Sequence, residues 1–490
     1  MPSVVNQLVS ETDRLGTASE LRTVQRNGRI ALAAPIIVLE AYLISTILVF
    51  FFGPLEWHIP SPAKLILFLA INYGGLWVGF RLGIKKRAKT LLQGRISNLG
   101  EIRLPPQVIK LLLWSMIFNI LSALIRLYAV RGGFGAALST LLSPGQAYQE
   151  AEILQQIHRE TGTDDALSGF SWAFRISTVL SVLNSLYFPL GLVAWQKLSL
   201  TYKAVFCVSV SCTVAFYVGL GAQSGIGALL FAALPVVLYK VYVVARPITI
   251  QGLRSLYSRS RTTGGGLWAK ILALALLLFL IGTVVFFQVD RADNTLGGVD
   301  ITTRLGSGFC TVSETGLLQE TGGKVNFGLV MLCMYVSHGY AGLAFAMECP
   351  FQWTYGLGSS MALATIVHNY LGGPDMFERS YLVRNEDENG WPALSWWSTI
   401  FPWIASDTTF FGTVFFMIGV GMVIGRCWTN VIFTGNPLGF AMLAQMFTLV
   451  FMIPANNYLV QSLENLFSLI GLVLIYLISG KYFKPRSEVA

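Results

Sequence analysis

The stretch IALAAPIIVLEAYLISTILVFFF at residues 30–52 decides the fold class, because it is almost free of charge and long enough to cross a membrane. A hydrocarbon core of about 30 Å needs about 20 apolar residues in a helix. Similar stretches recur along the chain, of which hydrophobic residues make up 54% and charged residues only 12%. These features predict an all-α polytopic membrane protein.

The apolar stretches predict ten full membrane spans. They lie at about 30–52, 63–84, 107–128, 171–195, 203–220, 226–245, 268–288, 408–425, 437–454 and 461–480. Two further stretches, 327–347 and 355–371, are expected to dip into or lie on the outer leaflet, because their connector carries Glu348 and no Lys or Arg. If both crossed, the count would be twelve and the orientation of the other spans would not change.

Lys and Arg are concentrated in alternate connectors and at both ends of the chain. The positive-inside tendency therefore places both termini in the cytoplasm. The expected layout is a tail at 1–29, one membrane domain at 30–480 with enlarged outer loops at 129–169 and 289–407, and a tail at 481–490. The net charge of +9 follows from this layout, so no nucleic-acid partner is expected.

The chain lacks the motifs of nucleotide, zinc or dinucleotide chemistry. Its six cysteines show no CxxC or zinc-type spacing, and no DxD, HExxH, GxSxG, Walker or GxGxxG pattern occurs in a suitable setting. We therefore expect no metal and no cofactor.

Basic residues on the predicted outer side are eight Arg and only two Lys. The planar guanidinium suits phosphate oxygens, so this bias indicates an anionic ligand; pairing with the outer carboxylates is the other interpretation. Arg126 and Arg131, in LIRLYAVRGGFG, are the strongest candidates. Arg304, Arg379 and Arg384 are further candidates for binding a diphosphate or glycan.

Candidates for proton transfer lie in and after the apolar stretch 327–347. His338 in YVSHGYAG is ranked first and Glu348 second, although a core histidine bonded within its helix would fit the same pattern. His368 and Asp375 follow close to the arginines of the long loop and are predicted to bind substrate. A histidine or carboxylate beside arginines is what glycosyl transfer from a diphosphate requires.

Several tryptophans precede the span predicted at 408–425. They are Trp391, Trp396, Trp397 and Trp403. At this position an interfacial aromatic belt is the first interpretation, and a sugar-stacking surface is the alternative.

Three strings carry a family resemblance: Arg-x4-Arg-Gly-Gly at 126–133, GAQSG at 221–225, and SHGYAGLAFAMECPFQWTYGLGSS at 337–360. With the overall architecture, they resemble the Wzy-type polymerases of bacterial O-antigen, capsule and exopolysaccharide repeat units. Many relatives carry a basic residue in the glycine turn, where this chain has Gln223 and Ser224.

The resemblance implies a metal-independent GT-C-like enzyme of polysaccharide biosynthesis. It would transfer a growing glycan from undecaprenyl diphosphate to the next lipid-linked repeat unit. The outer arginines would hold diphosphates and the long loop would hold glycan. Implied partners are the lipid-linked oligosaccharide, membrane lipids, a chain-length regulator protein and a flippase.

Two other classes stay open. A transporter or flippase for a polyprenyl-linked or anionic substrate predicts inverted repeats and charges near the midplane, and only Glu40 and His338 fit that pattern. A membrane-bound O-acyltransferase would suit His338 followed by glycine, but no polar partner is visible about thirty residues upstream.

Overall fold

The computed structural model describes residues 18–92, 102–131, 171–219, 223–245, 308–312, 324–393 and 397–483. Within these ranges the chain forms thirteen α-helices and two short strands. The first seven helices are α1 Ala18–Phe52, α2 Pro62–Leu92, α3 Pro106–Arg131, α4 Ser171–Val179, α5 Val182–Ala194, α6 Leu200–Gly219 and α7 Gln223–Tyr239. The others are α8 Lys324–Ala346, α9 Met361–Leu371, α10 Tyr381–Asn389, α11 Ile400–Thr434, α12 Leu438–Met452 and α13 Leu463–Ser479.

Six of these helices contain segments that are long and apolar enough to cross a membrane. The segments are Gln25–Phe52, Pro62–Lys85, Pro106–Tyr128, Leu200–Gly219, Gly225–Val244 and Ile400–Thr434. Shorter apolar helices cover Val330–Ala346, Leu438–Met452 and Leu463–Ser479. The predicted all-α polytopic membrane fold is thereby confirmed.

Helices α1 and α2 form a hairpin whose connection defines one end of the molecule, here called the hairpin face. Strand β1 (Leu55–Trp57) lies in this connection and pairs antiparallel with β2 (Cys310–Val312). At the other end, the opposite face, Arg103 N donates to Gly435 O at 3.0 Å and Asn436 Nδ2 to Ser479 Oγ at 2.9 Å. The described ends of two connectors predicted to be cytoplasmic therefore lie at the same end of the helix bundle as the C-terminal end of α13.

Glycines join α2 and α11 along their length. Gly75 lies against Val414, Gly79 against Ile418 and Gly83 against Met422, so the two helices run parallel. Small residues at four-residue spacing let membrane helices approach backbone to backbone, where dispersion contacts and weak hydrogen bonds hold them. A Cβ added at Gly79 would overlap the Ile418 carbonyl, which leaves no space for any side chain there.

Helix α8 lies across the hairpin face instead of running the length of the bundle. Near its start, Val330 packs against Leu55 of β1, and just after its end Met347 O accepts from Lys64 Nζ at 2.8 Å. Its middle residue Gly339 touches Pro454, in the connector after α12. Both ends of α8 thus contact the same end of the α1–α2 hairpin, as expected for a helix that does not cross.

The structure changes several predicted boundaries. Helix α9 has only eleven residues and spans about 16 Å, too short for the full span that the twelve-span interpretation requires. Helix α11 continues past Arg426 to Thr434 instead of ending at 425, because its last two turns are buried against the bundle. It also begins at Ile400, within the predicted loop, and breaks at Thr409, whose φ is +64°.

Other predictions fall outside the described residues. These are the span at 268–288, residues 132–169 of the first loop, and residues 289–307, 313–323 and 394–396 of the second loop. Among described residues, α7 leads to the opposite face, where Lys240 Nζ donates to Leu192 O at 3.5 Å. Strand β2 lies at the hairpin face, where His58 N donates to Phe309 O at 2.8 Å.

Candidate active site

One face of α3 carries a buried polar stripe. Asn119, Ser122 and Arg126 occupy positions i, i+3 and i+7, which align on a helix, and all three are buried. Asn119 Nδ2 donates to Ser209 Oγ at 2.9 Å and to Thr213 Oγ1 at 2.8 Å, both on α6. The stripe therefore leads from Arg126, near the hairpin face, into the interior of the bundle.

Arg126 forms an ion pair with Glu464 in the first turn of α13. The guanidinium also donates to Ser177 Oγ on α4 at 2.9 Å. Glu464 is held from the other side, because Ser181 Oγ donates to its backbone oxygen at 2.7 Å and Asn184 Nδ2 approaches its carboxylate at 3.5 Å. Helix α3, the consecutive helices α4 and α5, and the distant helix α13 thus bring one cation and one carboxylate together.

A cavity of about 150 Å³ surrounds this ion pair. Its lining includes amide and hydroxyl groups from α3, α5, α6, α12 and the connector before α13; among them are Asn119, Asn184, Thr213, Tyr217, Thr448 and Tyr458. Asn184 Oδ1 is buried and has no hydrogen-bond partner within the described part of the chain. Buried acceptors are normally satisfied, so this oxygen is a position where a ligand hydroxyl could bind.

The phenols of Tyr217 and Tyr458 hydrogen-bond to one another beside Glu464. The electrostatic effect of Tyr217, and then burial, raise the pKa of Tyr458 well above its usual value. Tyr458 therefore stays neutral near pH 7, and its hydroxyl remains a hydrogen-bond donor and acceptor at the cavity wall.

The predicted proton-transfer residues lie elsewhere. His338 is buried in α8, and its Nδ1 bonds to Met334 O of the preceding turn at 2.8 Å. Glu348 is exposed and forms an ion pair with Lys64 at 3.0 Å. Neither lines the cavity. Their predicted roles stay predictions, and the local contacts match those of a core histidine and a surface ion pair.

The charged residues after α9 are spread over a separate part of the hairpin face. Asp375 is exposed and accepts from Phe377 N at 2.9 Å, and exposed His368 bonds through Nδ1 to Gly373 O at 3.1 Å. Arg379 is also exposed. Arg384 is buried instead: it donates to Pro350 O and pairs with Glu388 at 2.7 Å, which ties α10 to the loop after α8.

Two predicted arginines cannot be placed in this geometry. Arg131 is the last residue of α3, and Arg304 lies outside the described residues. Across the ranges that the structure describes, no group of three or more His, Cys, Asp or Glu residues is arranged to hold a metal ion.

Glu464 is the functional candidate that sequence reasoning missed. Its local signal was modest: Ser462 caps α13, with Asn465 N donating to Ser462 Oγ at 3.2 Å, and acidic residues are common in the first turn of a helix. Its pairing with Arg126, 338 residues away, has no local sequence signal.

No family model matches the chain, and no curated protein or solved structure is significantly similar to it.

Proposed function

We propose that this chain is a metal-independent glycosyltransferase that polymerises lipid-linked repeat units, with its site in the cavity beside Arg126. The observation that carries the proposal is the ion pair between buried Arg126 and partly buried Glu464, in a cavity of hydroxyl and amide groups. Ionisable groups placed among membrane helices are costly to bury and are commonly functional. The family resemblance supports the glycan as substrate and the undecaprenyl diphosphate as carrier.

In this mechanism the acceptor sugar's hydroxyl oxygen forms a bond to C1 of the donor glycan. The bond between C1 and the diphosphate oxygen breaks, and its electron pair leaves with the diphosphate. Glu464 takes the hydroxyl proton, and the Arg126 guanidinium stabilises the charge on the departing phosphate. Hydroxyl and amide groups such as Asn184 and Tyr458 orient the sugars.

The proposal includes a location and partners. The chain would lie in a bacterial inner membrane with both termini cytoplasmic and the hairpin face in the periplasm, where flipped lipid-linked oligosaccharides are found. Basic residues of the described connector ends, such as Arg103 and Lys197, lie at the opposite face and support this orientation.

The first experiment replaces the proposed base by its neutral isostere, Glu464→Gln. Loss of a general base should slow chain extension about 10²–10⁴-fold while purified protein still retains the lipid-linked unit. Glu56→Gln, the same change at an exposed carboxylate of the hairpin face, is the matched control and should leave glycan ladders unchanged. Wild-type ladders from Glu464→Gln would overturn the proposal.

Two further variants test the bases predicted from sequence. If His338→Ala or Glu348→Gln abolishes extension while Glu464→Gln does not, the base is one of those predicted from sequence.

Arg126→Lys keeps the charge but loses the planar fork, so phosphate stabilisation through two parallel bonds predicts a loss of about tenfold or more.

A transporter or flippase is the second candidate, favoured by the depth of the polar stripe from Arg126 to Asn119. Reconstitution in vesicles distinguishes the two. A transporter moves a fluorescent lipid-linked saccharide across the bilayer without changing its length, whereas the transferase lengthens the glycan and leaves its distribution unchanged.

A further inference from the structure

The loop between α8 and α9 presents two exposed aromatic rings stacked on one another. Trp353 is 55% exposed and Tyr355 is 62% exposed. Their ring centroids are 5.1 Å apart with an interplanar angle of 23°, so the rings are nearly parallel and overlap. Together they form an exposed aromatic stack at the hairpin face, here called the aromatic platform.

Asp407 fixes the backbone of this loop. Its carboxylate accepts from Gly356 N at 2.7 Å, Gly358 N at 3.2 Å and Ser359 N at 2.7 Å, and from the Thr354 hydroxyl at 2.5 Å. Bonds to a charged acceptor are stronger than neutral ones, and these four converge on one side chain. The platform is therefore held in place before any ligand arrives.

The turn that carries Tyr355 is backbone-strained. Tyr355 and Gly356 have φ of +54° and +87°, and Leu357 N donates to Thr354 O at 3.0 Å, as in a type I′ turn. Asn or Gly normally occupies the first of these central positions, and a bulky aromatic residue there is an outlier. Such strain persists where surrounding contacts impose it, and it concentrates at functional positions.

The platform adjoins the cavity through the connector between α12 and α13. Asn457, which is buried, donates to Ser359 O at 2.6 Å, and Ser360 Oγ donates to Val460 O at 2.5 Å. Tyr458, between these two contacts, lines the cavity wall. The loop that carries the platform is thus bound to the connector that forms part of the cavity wall.

We infer that Trp353 and Tyr355 form a saccharide-binding subsite that holds the glycan beyond the reacting sugar. The apolar C–H face of a sugar ring packs on an aromatic face, and rings already fixed in place lose little conformational entropy on binding. An interfacial membrane anchor needs neither parallel rings nor a backbone pinned by a carboxylate. This inference rests on the proposed function, because the saccharide is the one that the transferase extends.

The sugar-stacking alternative considered for the later tryptophans does not apply to Trp391 and Trp403. Both are buried, at 1% exposure, and pack inside the hairpin-face layer. Their rings are therefore closed to a ligand. Trp353 and Tyr355 offer the open faces that those residues lack.

The test uses full-length protein in nanodiscs and oligosaccharide fragments of the source cell's surface polysaccharide as the probe. The difference in tryptophan fluorescence between wild type and Trp353→Phe gives the contribution of the Trp353 ring. We expect the fragments to change that signal, and Trp353→Ala to bind them about tenfold more weakly than wild type. Trp114→Phe is the matched control, since Trp114 is 65% exposed on α3, and it should leave saccharide binding unchanged.

Membrane anchoring is the competing outcome. If brominated lipids quench the Trp353 signal as strongly as that of Trp114, and the fragments change neither, the inference is overturned. Equal saccharide affinity of wild type and Trp353→Ala also overturns it.

The two proposals fail separately. If Glu464→Gln polymerises normally, the transfer proposal falls while the binding measurement still stands. If Glu464→Gln is inactive but Trp353→Ala binds fragments and makes chains of wild-type length, the platform alone is rejected.

Discussion

The interface between α2 and α11 and the cavity beside Arg126 use helix contacts in opposite ways. At the interface, Gly79 and its neighbouring glycines bring two backbones together and leave no gap. In the cavity, α3, α5, α6 and α13 contact one another but leave a space between them, which polar side chains such as Asn184 line. Close packing stabilises a fold, whereas open hydrogen-bonding groups bind ligands. We therefore expect stability to depend mainly on the first region and activity on the second.

The largest effect is expected from Gly79→Leu. The new side chain would overlap the Ile418 carbonyl, so α2 and α11 must separate, at a cost of about 3 kcal/mol or more. Size-exclusion profiles and thermal unfolding of the solubilised protein would report loss of folded material. Gly74→Ala is the control, because its Cβ would meet no atom within 4 Å. A Gly79→Leu protein with the wild-type melting temperature would refute the role given to this interface.

The next prediction separates stability from activity in the cavity. Glu464→Leu removes the carboxylate that pairs with Arg126 and should cost about 2–3 kcal/mol, because a cation in a mostly buried site loses its partner. Arg126→Met/Glu464→Leu removes both charges, so it should lose less stability than the two single changes added together. All three variants should lack transfer activity. A double variant that retains activity would show that the pair is only structural.

A smaller effect is expected from Asp407→Ala. The Asp407 carboxylate accepts hydrogen bonds from backbone N–H groups of the loop around Tyr355. Its loss should therefore lower the free energy of unfolding by about 2 kcal/mol and loosen this loop. Proteolysis at this loop and a thermal melt measure the two effects. Asp387→Ala, at an exposed position of α10, is the control. An unchanged cleavage rate would show that the carboxylate does not hold the loop.

The smallest effect is expected at the exposed pair Lys64–Glu348. Solvent screens both charges, so a double-mutant cycle with Lys64→Ala and Glu348→Ala should give a coupling energy of about 0.5 kcal/mol. Comparing this coupling energy with that of the Arg126–Glu464 cycle tests whether burial makes the Arg126–Glu464 pair the stronger one. A larger coupling at Lys64–Glu348 would reverse the comparison.

Hydropathy was enough to predict most of the bundle, because a span must be apolar over its length whatever it packs against. The glycines at 75, 79 and 83 also have a four-residue spacing in the sequence, which is typical of closely packed membrane helices. The course of α8 was anticipated only from the missing positive charge after Glu348. Its contacts with Leu55 and Pro454 could not be read from sequence, because they depend on tertiary packing.

Of the two charged residues in the candidate site, the sequence indicated Arg126 but not Glu464. The preference for Arg over Lys on the outer side indicated Arg126 as a phosphate ligand, and its pairing with Glu464 matches the other interpretation, in which outer arginines pair with carboxylates. Glu464 resembled any first-turn acidic residue, and Asp407 resembled any loop carboxylate. Both residues are important because of contacts with residues that are distant in sequence. The sequence around each residue gives no signal of these contacts.

The pairing of Arg126 with Glu464 also bears on how the protein is made. The carboxylate follows the arginine by 338 residues and lies on the last described helix. Throughout synthesis up to that point, α3 resides in the bilayer without the partner that completes its binding pocket. A ribosome that stops early releases a chain with an accessible cation among apolar helices, a feature that membrane proteases could recognise. Addition of α13 thus completes the ion pair and neutralises the cation among the apolar helices.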